Sequence, residues 1–135
     1  MEGSVADLIR LRYERAEEML KAAIINLEQK EYKTSLNRSY YSIFHAMRSV
    51  NLIDGFDSSK HSGVIAHFNQ YYVKTGVFSS TMSDIIKSAS YCREKSDYDD
   101  FYIVSKSDVE EQVNHAKIFL NTVKNYIDEY INADD

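Results

Sequence analysis

The side chains best suited to chemistry stand in one stretch, Arg38 to Arg48, where an imidazole and two guanidinium groups interrupt an otherwise apolar helix. His45 is the base-capable group, because an unperturbed histidine titrates near pH 6.5. Arg38 and His45 share one face of the helix, two turns apart. This arrangement allows proton transfer beside an anion, or a structural role in which His45 is bonded to a tyrosine or a backbone carbonyl.

The helix that carries these groups needs cover on two sides. One stripe at helical spacing consists of Arg38, Tyr41, His45 and Leu52, and a second consists of Leu36, Tyr40, Ile43, Met47 and Val50. Such a helix belongs at the centre of a bundle or in a subunit interface, where polar groups are retained only when they are paired.

Apolar residues recur at helical spacing along nearly the whole chain, which predicts an all-α protein. The sequence has no proline and four glycines, so few positions force a helix to end. The seam of the first helix is formed by Ile9, Tyr13, Ala16, Leu20, Ala23 and Leu27. Residues 28–31 hold a short turn, and a second helix reaches about Ile53 before Asp54 and Gly55 interrupt it.

The second half of the chain predicts three more helices. The third runs from about 61 to 76, and its core residues are Val64, Phe68 and Tyr71. The fourth runs from about 80 to 93, and the acidic, aromatic residues 97–102 form a loop. Ser107 and Glu110 make a capping box for the fifth. We expect one domain, residues 1–135, built as a bundle of four to five helices.

Composition narrows the function classes. Hydrophobic residues make up 44% and charged residues 27%, an ordinary globular balance. No apolar run is long enough to cross a membrane and no export leader is present, so we expect a cytoplasmic protein with no membrane partner. The net charge of −5 argues against nucleic-acid binding over the whole surface, because that affinity rests largely on cations. Local recognition stays open, because many cations crowd the first third of the chain, namely Arg10, Arg12, Arg15, Lys21, Lys30, Lys33, Arg38 and Arg48.

Cofactor and metal motifs are absent from the sequence. It has no closely spaced histidine, cysteine and carboxylate set of the kind that binds zinc, and no glycine-rich phosphate loop. The lone cysteine, Cys92, stands at helical spacing from Ile85 and Ala89, which favours a packed thiol over a nucleophile. We therefore expect no cofactor and no metal.

Four blocks of residues, in the expected order across residues 5–130, together resemble the HEPN family. The blocks are Arg38-x-x-Tyr41-x-x-Phe44-His45-Ala46, Lys60-His61-Ser62-Gly63-Val64, Tyr72-Val73-Lys74-Thr75-Gly76 and Arg93-x-x-x-Asp97-Tyr98-Asp99. More narrowly, the chain resembles the short stand-alone HEPN proteins encoded beside minimal nucleotidyltransferases. The resemblance implies an up-and-down helical bundle, like the helical domain of nucleotidyltransferases, that is usually a homodimer.

The resemblance also implies a candidate site. Many HEPN proteins are metal-independent ribonucleases in which an arginine is followed four to six residues later by a histidine. In this chain Arg93 keeps the arginine, Tyr98 stands in the place of the histidine, and Asp97 is an alternative base. Arg38 and His45, with six residues between them, match this spacing on another helix.

Two hypotheses of different class follow. In the first, the chain is the helical partner of a minimal nucleotidyltransferase in a toxin-antitoxin-like module, with RNA or nucleotide binding. In the second, it is itself a metal-independent endoribonuclease whose cleft is lined by Arg38, His45, Arg93 and Asp97. The tyrosine in place of the histidine favours the first. The resemblance raises a third role for Tyr98, as the target of nucleotidylation by the partner.

Overall fold

The apolar seams of this chain assemble five α-helices in the computed structural model, which describes residues 3–133. The helices are α1 (Gly3–Glu28), α2 (Tyr32–Asn51), α3 (His61–Phe68), α4 (Ser80–Tyr98) and α5 (Lys106–Asn132). A 3₁₀ turn, Leu52–Asp54, follows α2, and a π-helical turn, Asn69–Val73, follows α3. The prediction of an all-α bundle is confirmed. Residues 1, 2, 134 and 135 of the expected domain lie outside the described residues.

Helix α2 lies at the centre of the bundle and packs against each of the other four α-helices. Its buried residues include those of the second predicted stripe and four serines, Ser35, Ser39, Ser42 and Ser49. Ser35 donates a hydrogen bond to the carbonyl of Ala23 on α1 (2.8 Å), so a small polar side chain joins the two helices at close range. Helix α2 thus lies at the centre of the bundle, one of the two places predicted for it, although the stripe that carries Arg38 and His45 is only partly buried.

The ends of the first two helices follow from local chemistry. The turn after α1 contains Lys30 in the left-handed region (φ 62°), which allows the chain to reverse within a few residues. After α2, Gly55 takes φ 74°, a conformation that glycine adopts without steric cost. The predicted turn at residues 28–31 and the predicted break at Gly55 are both confirmed.

The structure corrects the predicted core of the third helix. Tyr71 is 49% exposed, whereas Tyr72 is only 3% exposed and packs beside Phe68. Phe68 and Tyr72 are four positions apart, a spacing that keeps both on one side of a helix, whereas Tyr71 turns toward solvent. Tyr72 also donates a hydrogen bond to Asp54 (2.8 Å), which ties the π-helical turn to the end of α2.

The structure also corrects both ends of the predicted loop at residues 97–102. Helix α4 continues to Tyr98, supported by i, i+4 ion pairs of Arg93 with Asp97 and of Lys95 with Asp99. The loop is therefore residues 99–105. Ser105, rather than a Ser107 and Glu110 capping box, caps α5, because Ser105 has an extended backbone and accepts a hydrogen bond from the amide of Asp108.

A second, smaller core joins α1, α2 and α5 near the α1–α2 turn. Its buried residues are Ala23, Leu36, Val109 and Val113. Cys92 packs against this cluster, and burial raises the pKa of its thiol. The packed thiol expected at Cys92 is therefore what the fold produces.

Candidate functional site

Arg93 is the centre of the candidate site, because its guanidinium is held from two directions. One face lies over the ring of Tyr40, with 4.6 Å between the guanidinium carbon and the ring centroid. Nη1 donates to Oδ2 of Asp97, one turn further along α4, at 3.3 Å. The side chain is only 12% exposed, and Nε is buried with no hydrogen-bond partner among residues 3–133. The guanidinium is thus fixed in position and retains an unused donor.

Tyr40 connects Arg93 to a histidine. The Tyr40 hydroxyl lies 3.0 Å from Nδ1 of His61, the first residue of α3. The imidazole also packs on the ring of Phe44, with centroids 4.5 Å apart, and against Tyr41 at 5.5 Å. We call Arg93, Asp97, Tyr40 and His61 the Arg93 cluster.

The charges in the Arg93 cluster fix its protonation at neutral pH. Burial lowers the pKa of His61, and the charge of Arg93 lowers it further. Burial raises the pKa of Tyr40, against the opposing effect of Arg93. Burial alone would lower the pKa of Arg93, but the nearby tyrosines and Asp97 outweigh burial and raise it. The cluster therefore presents an uncharged imidazole, a protonated phenol and a guanidinium cation.

Arg38 and Tyr98 lie near this cluster, in two different depressions. Arg38 and Asp97 both line a cavity of about 390 Å³, which joins the base of α2 to the end of α4. Tyr98 is 78% exposed and lines a second depression of about 360 Å³ with Tyr91 and Lys95. Arg38 and Arg93 thus both lie near Asp97, whereas Tyr98 is largely exposed beside Arg93.

His45 lies in a separate cavity of about 280 Å³, whose other polar residues are Arg12, Arg15 and Arg48. We call these four residues the His45 pocket. Burial and then the charges of Arg15, Arg48 and Arg12 lower the pKa of His45 to about 4. Its Nδ1 is buried and has no hydrogen-bond partner among residues 3–133, so the tyrosine or carbonyl bond of a structural histidine is not made at that atom.

Tyr41 lies between the two sites. Its ring centroid is 6.3 Å from that of His45 and 5.5 Å from that of His61. Tyr40 and His45, on successive turns of α2, therefore belong to the Arg93 cluster and to the His45 pocket, respectively.

Sequence reasoning missed His61 and Tyr40 as site residues. In the sequence His61 belongs to the Lys60-His61-Ser62 block at a predicted helix start, and Tyr40 belongs to an apolar stripe, so neither position indicates a catalytic role. The two are 21 positions apart in the sequence and meet only because α3 folds back onto α2. The block of residues around His61 was the available signal, although it gave no role to the histidine.

Two further properties bear on the chemistry. Across residues 3–133, no three histidine, cysteine, aspartate or glutamate side chains converge in a way that could hold a metal ion. None of the helices in that range has the length and apolar character needed to cross a membrane.

Comparison with known proteins agrees with the fold. The HEPN domain profile matches residues 9–126. A Methanocaldococcus jannaschii protein named "Putative toxin MJ0605" is 31% identical over 127 residues, which cover 94% of this chain and 94% of that protein. A Thermotoga maritima protein of the UPF0332 group is 30% identical over 115 residues, covering 85% of this chain and 87% of that protein.

A solved structure has the same fold. The archaeal HEPN homologue ST0689 superimposes with a TM-score of 0.63 at 20% identity, over 88% of this chain and 97% of that one. The profile match extends over most of the chain, and the relatives match it along nearly their whole length. The chain therefore belongs to the HEPN domain family.

Proposed function

We propose that this HEPN protein is a toxin-type endoribonuclease that cleaves RNA at the Arg93 cluster without a metal ion. The observation that carries the proposal is that a fixed guanidinium and an uncharged imidazole both contact Tyr40. The spatial position of His61 supplies the histidine that is lacking at position 98. The similarity to proteins named as putative toxins supports the same class of activity.

In this mechanism Arg93 holds the scissile phosphate through its free donors, because guanidinium groups bind phosphate oxygens with matched geometry. When Nδ1–H of His61 donates to the Tyr40 hydroxyl, Nε2 carries a lone pair that accepts the proton of a ribose 2′-hydroxyl. The 2′-oxygen then bonds to phosphorus, the bond from phosphorus to the 5′-oxygen breaks, and the leaving oxygen takes a proton from water. The products are a cyclic phosphate and a free 5′-hydroxyl.

The other predicted residues support this centre. Asp97 orients Arg93 through their 3.3 Å contact, and Arg38 adds a second cation to the cavity that Asp97 lines. Tyr98 is not needed as a base, since an unperturbed tyrosine ionises near pH 10 and His61 is better matched to neutral pH.

We also propose a homodimer that forms across the end of α4. Two exposed apolar side chains follow the end of α4, with Phe101 93% and Ile103 88% exposed. Covering this surface with a second copy would bury it and would place the two Arg93 clusters near each other. Phe101→Asp should shift the protein from dimer to monomer in light scattering, whereas an unchanged mass would contradict this interface.

A minimal nucleotidyltransferase is the second proposed partner, and the exposure of Tyr98 favours it. Tyr98 is 78% exposed one turn beyond Arg93, so a modifying enzyme could reach it. Co-expression with a minimal nucleotidyltransferase should add one nucleotide mass to the wild type and none to Tyr98→Phe. A nucleotide adduct that persists in folded Tyr98→Phe would contradict the assignment of this tyrosine.

The central experiment is incubation of the purified protein with total RNA and with tRNA in EDTA. We expect wild-type protein to generate cyclic-phosphate ends, and Arg93→Ala to lose about 10²- to 10³-fold in rate, as when an electrostatic transition-state contact is removed. Arg10→Ala and His115→Gln are the matched controls on other surfaces, with circular dichroism as the test of folding. Equal cleavage by wild type and folded Arg93→Ala would refute the proposal.

A further inference from the structure

The His45 pocket concentrates positive charge in a protein whose net charge is −5. The residues that line its cavity carry three guanidinium groups, Arg12 and Arg15 from α1 and Arg48 from α2, and no carboxylate. His45 stands among them uncharged, because burial and the same arginines lower its pKa. The local charge is therefore opposite in sign to that of the whole chain.

One carboxylate approaches the pocket from the loop after α2. Asp57 accepts from Nη2 of Arg48 at 3.0 Å and from Nη2 of Arg12 at 3.3 Å. These contacts hold two guanidinium groups in place, as a preformed anion site requires. One aspartate still balances only one of the three arginine charges.

Several polar atoms of the His45 pocket are buried but form no hydrogen bond with residues 3–133. Nε of Arg48 is a buried donor without a hydrogen-bond partner among residues 3–133, and so is Nδ1 of His45 in the tautomer that carries its hydrogen there. Nη1 of Arg12 lies 3.3 Å from Asp57 but also lacks a well-aligned hydrogen bond. Buried donors of native proteins are normally satisfied by protein, water or ligand. An anion with several acceptor oxygens, such as a phosphate group, matches these unused donors.

The position of the pocket indicates which phosphate it would take. Arg38, Tyr41, His45 and Arg48 follow one another at spacings of three and four along one stripe of α2. Arg38 shares its cavity with Asp97 of the Arg93 cluster. Tyr40, whose ring lies beneath Arg93, and His45 are separated by about 7.5 Å along the helix axis, which corresponds to about two stacked nucleotides. Both sites therefore lie along one path.

We propose that the His45 pocket binds a backbone phosphate of RNA, about two nucleotides from the phosphate held by the Arg93 cluster. The proposal rests on the proposed function for its choice of RNA as the ligand. In this assignment Arg15 is the outer cation of the pocket, and Arg12 and Arg48 form its inner wall. Asp57 keeps the inner guanidinium groups aligned and opposes the bound phosphate by its charge.

The test is fluorescence anisotropy of a labelled single-stranded oligoribonucleotide in EDTA at several salt concentrations. All variants carry Arg93→Ala, so that cleavage does not interfere. Arg15 is exposed, so Arg15→Ala should leave the fold intact, weaken binding about fivefold and reduce the salt slope by about one. Asp57→Asn should tighten binding, because it removes the opposing charge. Arg10→Ala, an exposed α1 arginine that pairs with Asp128, is the matched control.

The outcomes separate this site from the proposed catalysis. Arg15-dependent RNA binding without any cleavage by wild type would support the pocket and refute the nuclease. Cleavage by wild type with the same RNA affinity in Arg15→Ala and Arg10→Ala would refute the pocket and leave the nuclease standing. Arg15-dependent binding of inorganic phosphate or a mononucleotide, with no binding of RNA, would overturn the assignment to an RNA backbone.

Discussion

The Arg93 cluster and the His45 pocket both combine arginine with a histidine whose pKa lies below its ordinary value, yet they hold the imidazole in different ways. In the cluster, Nδ1 of His61 is 3.0 Å from the Tyr40 hydroxyl, so the ring is oriented. In the pocket, Nδ1 of His45 has no partner within the described residues and three arginines surround it. An oriented, uncharged imidazole suits proton transfer, whereas a crowd of guanidinium groups suits static binding of an anion.

The comparison is tested most strongly by replacing the two histidines separately. His61→Gln should lower kcat for RNA cleavage by about 10²- to 10⁴-fold, because glutamine cannot act as a general base. His45→Gln should instead weaken RNA binding and change kcat little. Single-turnover rates at saturating RNA report the cleavage step, and KM reports RNA binding, so the two measurements separate the two effects. A loss of kcat in His45→Gln as large as that in His61→Gln would remove the distinction between the sites.

Acid stability sharpens the comparison at the His45 pocket. The unfolded chain binds a proton at His45 near pH 6.5, whereas the folded chain does so only at about pH 4. The free energy of unfolding should therefore fall as pH decreases between these values and level off below them for this group. We expect a loss of about 2 kcal/mol, less than the full linkage value because the pocket is open to solvent.

His61 contributes with the same sign, because its pKa is also lowered. The measurement is therefore the difference between wild type and His45→Gln in urea melts from pH 8 to pH 4. The gap between the two proteins at pH 8 serves as the baseline. Parallel stability curves over the whole range would show that His45 is not held uncharged.

Tyr40→Phe probes how the Arg93 cluster orients its base. Phenylalanine keeps the ring beneath the Arg93 guanidinium but removes the hydroxyl that meets His61. Loss of one hydrogen bond of about 1 kcal/mol should lower kcat by about fivefold without weakening RNA binding. The pH dependence of kcat should shift as well, because the imidazole environment changes. An unaltered kcat and pH profile would mean that the hydroxyl does not position His61.

The smallest expected effect is that of Tyr98→Phe. Since His61 rather than Tyr98 is assigned as the base, cleavage by Tyr98→Phe should remain within about twofold of wild type. The same cleavage kinetics in EDTA provide the measurement. A large loss of kcat with intact folding would return the proton-transfer role to the tyrosine.

The helices could be predicted from the sequence because their apolar seams repeat over many turns. The two stripes of α2 predicted either a central helix or a subunit interface, and its packing against the other four α-helices shows the first. The extension of α4 to Tyr98 was missed because an acidic, aromatic composition suggests a loop, while the ion pair of Arg93 with Asp97 supports the helix. The π-helical turn was missed because it changes spacing without any proline or glycine inside it.

The candidate site was less accessible to sequence reasoning. Arg93 and Asp97 are one helical turn apart, so their contact could be expected from spacing. Tyr40 and His61 meet only through the packing of α3 on α2, which no local spacing records. The sequence also could not predict that Arg12, Arg15 and Arg48 line one cavity, because this depends on how α1 packs beside α2.

Helix α2 packs against all four other α-helices, which holds it in one position in the bundle. Tyr40, which lies beneath Arg93, and His45 belong to this one helix, so the two proposed phosphate sites should stay a fixed distance apart. An oligoribonucleotide too short to span them can occupy only one site at a time, and affinity should rise in a step once a strand reaches both. The length at that step would report, in nucleotides, the distance that α2 sets.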